Sequence, residues 1–174
     1  MIKIPQPAMV LNAENAPEPH YRMWNTRRVG SDEDPYWIMQ NVASVARSAP
    51  GGKLVSLVIN SHGCGSYIAI GKGISRRNVS VFSYLNGLVD TIYLVACRVA
   101  RIDEPGGYGD GNLLCCEISK NAQAYVYAST APQEVDWLDR IVVSYGYIDD
   151  FEGTLYLYKP PDGSCVVSNL MDYW

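Results

Sequence analysis

The hydrophobic positions in the middle of this chain fall into short apolar runs separated by polar, glycine-rich segments. The runs at residues 54–61 and 91–96 are rich in β-branched side chains and have the length of buried strands. A third run of this kind covers residues 124–129. Apolar positions at residues 154–158 and 164–168, separated by a Pro-Pro-Asp-Gly turn, predict a hairpin near the end of the chain.

Three helices are predicted between these runs. Ser31 and the acidic residues 32–34, followed by Pro35, indicate a helix start, because carboxylates favour the positive end of the helix dipole. This first helix ends at the Pro-Gly-Gly sequence of residues 50–52, and a third helix runs from about residue 110 to 122. The positions expected to be buried are Trp37, Ile38, Val42 and Val45 in the first helix, Val79, Phe82, Leu85 and Val89 in the second, and Leu114 and Ile118 in the third.

The alternation of strands and helices favours an α/β fold. Parallel strands that are joined by helices need right-handed crossovers, so we expect a mainly parallel sheet with helices on both faces. The prediction is a three-layer α/β/α sandwich with a C-terminal β-hairpin. Residues 1–30 contain four prolines and no steady periodicity, so we predict an irregular N-terminal arm with a short strand at residues 8–11. Residues 31–174 are predicted to form a single domain.

Composition excludes several classes of function. The 174 residues are 48% hydrophobic and 18% charged, as expected for a globular domain with a sizeable core. The net charge of −4, with no basic cluster larger than a solvated arginine pair, argues against a nucleic-acid partner. No apolar stretch approaches the ~20 residues of a membrane span. The chain begins without an apolar signal segment and its five cysteines lack disulfide spacing, so we expect reduced thiols in the cytoplasm, or export without a signal peptide.

Two of the predicted strands lead directly into residues with catalytic chemistry. Residues 54–61 are followed by His62 and Gly63, and residues 91–96 are followed by Cys97. If the strands are parallel neighbours, these side chains emerge at the carboxyl edge of the sheet, where open α/β sheets bind ligands. A thiol beside an imidazole is the minimum apparatus for nucleophilic catalysis. The backbone N–H groups of Gly63 and Cys97 can point toward a substrate oxyanion.

This pattern resembles the caspase-like superfamily of cysteine peptidases, in which one apolar strand ends in His-Gly and a second ends in Ala-Cys. The matching segments are Ile59–Gly63 and Tyr93–Cys97, and their histidine and cysteine are 35 residues apart, which leaves room for a loop and a helix. The resemblance covers residues 54–129. It is closer to bacterial self-processing peptidases than to caspases, because Val95 and Val99 stand where caspases have glutamine and glycine.

The resemblance implies a specific function. Residues 31–174 would form one caspase-like peptidase domain, and the protein would be a cysteine endopeptidase that uses no cofactor or metal. Cys97 would attack the peptide bond, His62 would transfer protons, and the N–H groups of Gly63 and Cys97 would form the oxyanion hole. The substrate would be a peptide or a protein, either a partner or the protein itself.

The resemblance also locates the first specificity pocket. The superfamily lines this pocket partly with the strand after the nucleophile and the loop beyond it, here residues 125–136. No arginine occurs in that stretch, so an acidic substrate side chain would lack its bidentate partner. Acidic residues on the two loops could select lysine or arginine instead, or could simply be solvated. These residues are Asp103, Glu104, Glu134 and Asp136.

Other interpretations remain open at this point. The same fold could serve as a catalytically inactive binding or regulatory module. His62 and Cys64, together with Cys115 and Cys116, could instead build a zinc site, although the Cys-x2-Cys spacing of structural zinc sites is absent. Cys64 is a second candidate nucleophile that we expect to be dispensable, because its geometry toward the imidazole is poor. Cys115 and Cys116 lie mid-helix, where core positions are expected.

Overall fold

The structure is a computed structural model that describes residues 1–16, 20–133 and 144–168. Its α-helices are α1 (Pro35–Ser48) and α2 (Gly111–Ala122), and Pro50–Gly52 and Val79–Leu85 are 3₁₀ helices. The strands are β1 (Ile2–Lys3), β2 (Ala8–Ala13), β3 (Asn25–Val29), β4 (Leu54–Asn60), β5 (His62–Cys64), β6 (Tyr67–Ala69), β7 (Ile74–Ser75), β8 (Val89–Val95), β9 (Tyr125–Ser129), β10 (Tyr147–Ile148), β11 (Leu155–Lys159) and β12 (Ser164–Val167).

A seven-stranded sheet with the order β12-β11-β9-β8-β4-β2-β3 forms the centre of the molecule. The pairs β3–β2, β2–β4, β4–β8 and β8–β9 are parallel, whereas β11 pairs antiparallel with both β9 and β12. The predicted α/β class with a mainly parallel sheet is therefore confirmed. Small strands β5, β6 and β7 form a separate antiparallel sheet after β4.

The two faces of the main sheet are covered differently. On one face, side chains such as Leu57 and Leu94 pack with α1, α2 and the 3₁₀ helix over Val79–Leu85. On the other face, Val58 and Tyr93 pack mainly against residues outside the helices. Within the described ranges both α-helices lie on the first face, so the three-layer sandwich stays a prediction. Neither of these two helices has the length and apolar content that crossing a membrane requires.

The N-terminal segment, predicted to be an irregular arm with a short strand at residues 8–11, contributes two strands, β2 and β3, to the main sheet. The predicted short strand is confirmed as part of β2. All six residues of β2 are buried, and it pairs with β4 from Ala8↔Ser56 to Asn12↔Asn60. A strand that is buried on both faces shows no alternation of apolar and polar residues, so its sequence pattern is weak. The prolines of the N-terminal segment lie outside β2. The other strand, β3, is an edge strand that carries two adjacent arginines, Arg27 and Arg28, and has only one buried residue, Val29.

The first predicted helix is confirmed, but its buried face differs from the expectation. Asp34 caps α1 by accepting a hydrogen bond from the Tyr36 N–H (2.9 Å). Trp37 is 65% exposed and Val45 is only partly buried, so those two positions were wrong. The helix instead buries Pro35, Ile38, Met39, Val42, Ala43 and Ala46.

The second predicted helix is a 3₁₀ helix rather than an α-helix. Its buried side chains, Val79, Phe82 and Leu85, are three residues apart, which matches the three-residue turn of that helix. Val89, the fourth predicted position, is the first residue of β8. The third predicted helix is confirmed as α2.

Candidate functional site

The candidate site lies where β4 and β8 end at the carboxyl edge of the sheet. These strands pair from Leu54↔Val89 to Asn60↔Val95, a constant offset of 35 residues. His62 and Cys97 are also 35 residues apart, so they occupy equivalent positions just beyond the last pair. The Ser61 N–H donates to the Val95 carbonyl (3.2 Å), which carries the ladder past the strand ends toward both residues.

Gly63 determines how closely the two chain segments approach. A Cβ atom at Gly63 would lie 2.9 Å from the Cys97 carbonyl oxygen, 3.0 Å from Ala96 Cβ and 3.1 Å from the Tyr67 carbonyl oxygen. A side chain does not fit at these distances, because two of the three atoms belong to the backbone. Only glycine therefore allows the backbone after His62 to rest on Cys97.

The histidine sits on a short hairpin. His62 and Cys64 belong to β5, which pairs antiparallel with β6. Because side chains alternate along a strand, both residues lie on the same face of β5, and both are exposed. The Ser61 hydroxyl donates to the His62 carbonyl (3.0 Å) and fixes the backbone at the start of the hairpin. Cys64 thus shares the face of the imidazole and belongs in any test of the nucleophile.

The cysteine lies at a sharp turn. Cys97 is half-buried, and its Sγ accepts a hydrogen bond from the Gln133 N–H (3.3 Å). The same sulfur lies 3.6 Å from the Gln133 carbonyl oxygen, to which the thiol donates. The next residue, Arg98, has φ +54°, in the left-handed region that residues other than glycine seldom adopt. Such residues cluster at active sites, where the surrounding structure holds them in place.

The predicted acidic residues do not share one environment. The Asp103 carboxylate accepts a hydrogen bond from Arg101 Nε (2.6 Å) and lies against Gly65 of the histidine hairpin. Its charge is thus paired with an arginine, although both side chains are exposed. The Glu104 side chain lies over Gly107. The other two acids, Glu134 and Asp136, lie outside the described residues.

Arg76 is a structural residue that the sequence pattern did not identify. Its guanidinium contacts the Glu117 carboxylate through Nε and Nη2 at 2.8–3.2 Å, and Nη1 donates to the Gly107 carbonyl (2.6 Å). The Arg77 guanidinium lies 4.9 Å from the Tyr108 ring centroid. Arg76 and Arg77, an arginine pair of the kind expected to be solvated, therefore tie the loop after Cys97 to α2. No local signal reveals this, because Glu117 lies 41 residues away.

A buried polar network secures the end of β4 close to His62. Asn60 Nδ2 donates to Asn12 Oδ1 (2.9 Å), and Asn12 Nδ2 donates to the Tyr21 carbonyl (2.9 Å). The Tyr21 hydroxyl donates to Asp149 Oδ2 (3.0 Å), and burial raises the pKa of Tyr21. Satisfied networks of this kind rigidify the elements that they join.

The remaining cysteines give no support to a metal site. All five cysteines are unpaired with one another in the structure. The core positions predicted in α2 are confirmed, since Cys115 is buried and Cys116 is half-buried. Burial raises the pKa of Cys115, which keeps this thiol protonated and unreactive. In residues 1–16, 20–133 and 144–168, no group of three or more His, Cys, Asp or Glu side chains is arranged to hold a metal ion.

Comparisons with known proteins add no assignment to this geometry. No protein-family model matches the chain, and no curated protein matches it either.

Proposed function

We propose that the protein is a cysteine endopeptidase with Cys97 as nucleophile and His62 as the proton-transfer group. The observation that carries the proposal is the shared offset of 35 residues between the β4–β8 register and this pair. The close approach of Gly63 to the Cys97 carbonyl supports it, because it joins the two strand ends at one point. The left-handed turn at Arg98 supports it as well.

The reaction follows from these two side chains. His62 accepts the Cys97 proton, and the thiolate attacks the carbonyl carbon of the peptide bond to form a C–S bond. The negative charge that develops on oxygen is stabilised by the N–H groups of Gly63 and Cys97. His62 then donates its proton to the leaving amine as the C–N bond breaks. Water, activated by His62, hydrolyses the thioester and regenerates the thiol.

The proposal includes a caspase-like relationship for the peptidase domain. It is supported by the parallel order of β2, β4, β8 and β9, with the histidine after one strand and the cysteine after its neighbour. A three-layer sandwich ending in a hairpin belongs to this proposal, with β2 and β3 added to the predicted domain. The substrate is a peptide or protein segment that meets the enzyme in the cytoplasm, where free thiols are stable.

A peptide library tests the proposal directly. The wild-type protein should hydrolyse some library members, whereas Cys97→Ala and His62→Ala should lose at least about 10³-fold in rate. The matched control is Cys64→Ser, which changes the thiol on the histidine's own hairpin and should retain most of the activity. Hydrolysis by Cys97→Ala would contradict the proposal, and loss of activity in Cys64→Ser alone would move the nucleophile to Cys64.

Matched peptides that differ only at the residue before the cleaved bond test the specificity proposal. We propose a preference for lysine or arginine, supported by Glu104 on the loop after Cys97, whereas Asp103 on the same loop is already paired with Arg101. Initial rates with Arg, Lys, Leu and Asp peptides decide it. Preference for aspartate would contradict the acidic pocket, and preference for leucine would show that the acids face water.

A second candidate is a caspase-like binding module without activity. The contact of the Gln133 peptide group with the Cys97 thiol favours it, because this contact occupies the nucleophile. Complete absence of hydrolysis in the library, with a folded protein and a reactive Cys97, would support this candidate over the peptidase.

A further inference from the structure

We infer that residues Ala131–Gln133 form an autoinhibitory strap over the Cys97 thiol and that the strap must move before a substrate can bind. This inference rests on the proposed function for its meaning, since inhibition requires an activity. It concerns a contact that the peptidase mechanism does not need and that is present in the protein without substrate.

The contact at the thiol has the character of a bound peptide. The Gln133 N–H donates to Cys97 Sγ at 3.3 Å, and the Gln133 carbonyl oxygen lies 3.6 Å from the same sulfur. A nucleophile must come within about 3–3.5 Å of the carbonyl that it attacks. The strap therefore uses the space that a substrate peptide group needs, and the two compete for Cys97.

The base of the strap is held by hydrogen bonds to the chain around the site. The Arg98 N–H donates to the Ala131 carbonyl (2.9 Å), and the Ala131 N–H donates to Ser129 Oγ (3.1 Å). Ser129 is the last residue of β9 and is fully buried. This end of the strap is consequently fixed to the sheet.

The other end of the strap is held more weakly. Gln133 Oε1 accepts from the Glu152 N–H at 3.3 Å, and Gln133 Nε2 donates to the Glu152 carbonyl at 3.4 Å. Both distances are long for hydrogen bonds, and both contacts are exposed. A segment with few buried contacts opens more readily than the core. Within the described residues, which end at Gln133 on this side of the strap, the contacts of the Gln133 side chain with Glu152 are therefore the ones whose loss we expect to release it.

Alkylation of Cys97 tests the strap without relying on peptidase activity. Iodoacetamide is reacted with the native protein, and modification of each cysteine is followed by mass spectrometry of its peptides. In Gln133→Ala, which removes the side-chain contacts with Glu152, labelling of Cys97 should be about 3- to 10-fold faster than in the wild type. The matched control is Gln40→Ala on α1, which should leave the rate at Cys97 unchanged.

The chain contains its own check on folding in this experiment. Cys115 is fully buried, so it should remain unlabelled as long as the variant is folded. If Gln133→Ala exposes Cys115, the test passes to Ser129→Ala, which loosens the base of the strap and should also accelerate labelling at Cys97. A rate at Cys97 that is unchanged or lower in the folded variant would overturn the strap.

The strap and the proposed function fail in different ways. Faster labelling of Cys97 with no peptide hydrolysis in either protein supports the strap as a cover of the thiol and contradicts the peptidase. Hydrolysis that depends on Cys97, with equal labelling rates in the wild type and Gln133→Ala, supports the peptidase and overturns the strap. If both hold, Gln133→Ala should also cleave peptides faster than the wild type.

Discussion

The glycine that follows the histidine gives the sharpest test of the site geometry. In Gly63→Ala the new methyl group would meet the Cys97 carbonyl oxygen at 2.9 Å and Ala96 Cβ at 3.0 Å, whereas ordinary contacts begin near 3.4 Å. The two segments must therefore separate by about 0.5 Å, and overpacking of this size typically costs about 1–3 kcal/mol. For a chain of 174 residues this corresponds to a fall in Tm of about 2–12 °C.

The effect on activity should be larger than the effect on stability. Separation of the segments moves His62 relative to Cys97, and catalysis depends steeply on such distances, with ~100-fold lost for a shift of about 1 Å. We therefore expect kcat/KM for a cleaved peptide to fall by about 10- to 100-fold in Gly63→Ala. Thermal unfolding followed by circular dichroism, together with initial rates measured well below the variant's Tm, separates the two effects.

A second glycine provides the control for this substitution. In Gly30→Ala the new Cβ would meet Asp32 Oδ1 at 3.3 Å, where the exposed side chain can turn aside, and Glu33 Oε1 at 3.7 Å, which is an ordinary contact. This variant should match the wild type in activity and nearly match it in Tm. If Gly63→Ala also behaves like the wild type in both measurements, the hairpin does not rest on Cys97 and the geometric argument for the pair is refuted.

Three further predictions concern the structure around the site. Asn12→Ala removes the acceptor of two buried donors and should lower the free energy of unfolding by about 2–3 kcal/mol in urea titrations, and a loss below about 0.5 kcal/mol would contradict this role. Arg76→Met should free the loop after the nucleophile, so chymotrypsin should cleave after Tyr108 several-fold faster, and an unchanged rate would show that the ion pair does not hold the loop. Burial raises the pKa of Tyr93 from its ordinary value of 10.0 to about 12. The folded state therefore gains about 2–3 kcal/mol from the neutral hydroxyl below pH 10, and this contribution to the free energy of unfolding is lost as the pH rises through 12. Urea unfolding between pH 8 and 11.5 should show a shallower loss in Tyr93→Phe than in the wild type, and identical slopes would refute this assignment.

The central strands and the position of the pair could be predicted from the sequence, because their signal is local. β4 and β8 are short apolar runs that end at His62-Gly63 and Cys97, and each run needed only neighbouring residues to be recognised. Parallel pairing then follows from the length of the connection between them. The location of the pair at the carboxyl edge of the sheet follows from where these two strands end.

The sequence predicts only part of the first two strands of the main sheet, the short strand at residues 8–11 within β2. β3 is an edge strand with two arginines, and charged side chains on an edge serve to prevent pairing with other chains rather than to mark a strand. β2 is buried along its whole length and lies next to prolines, so it shows neither alternation nor clear boundaries. β2 is stabilised by pairing with both β4 and β3, whereas β3 pairs with β2, and local patterns do not report such pairing.

Contacts between residues that are far apart in the sequence could not be predicted either. The Arg76–Glu117 ion pair joins residues 41 positions apart, and the Gln133–Cys97 contact joins residues 36 positions apart. Each partner is an ordinary polar residue in its own segment. Their contacts form only when the sheet brings the segments together, so the sequence predicts where the His62–Cys97 pair lies but not the groups that contact the pair and its loop.

The register explains why the pair can act from one side of the sheet. Side chains alternate along a strand, so a shift of one residue in either β4 or β8 would send His62 and Cys97 to opposite faces. The constant offset of 35 residues instead continues the face of Asn60 and Val95, which is the face opposite α1 and α2. In the proposed peptidase, a substrate would therefore approach at the carboxyl edge from that side, where the Gln133 N–H contacts the sulfur. The register that aligns the pair thus also places the Cys97 thiol next to the strap. Proposed catalysis and proposed inhibition would therefore both depend on the chain segment that follows β9.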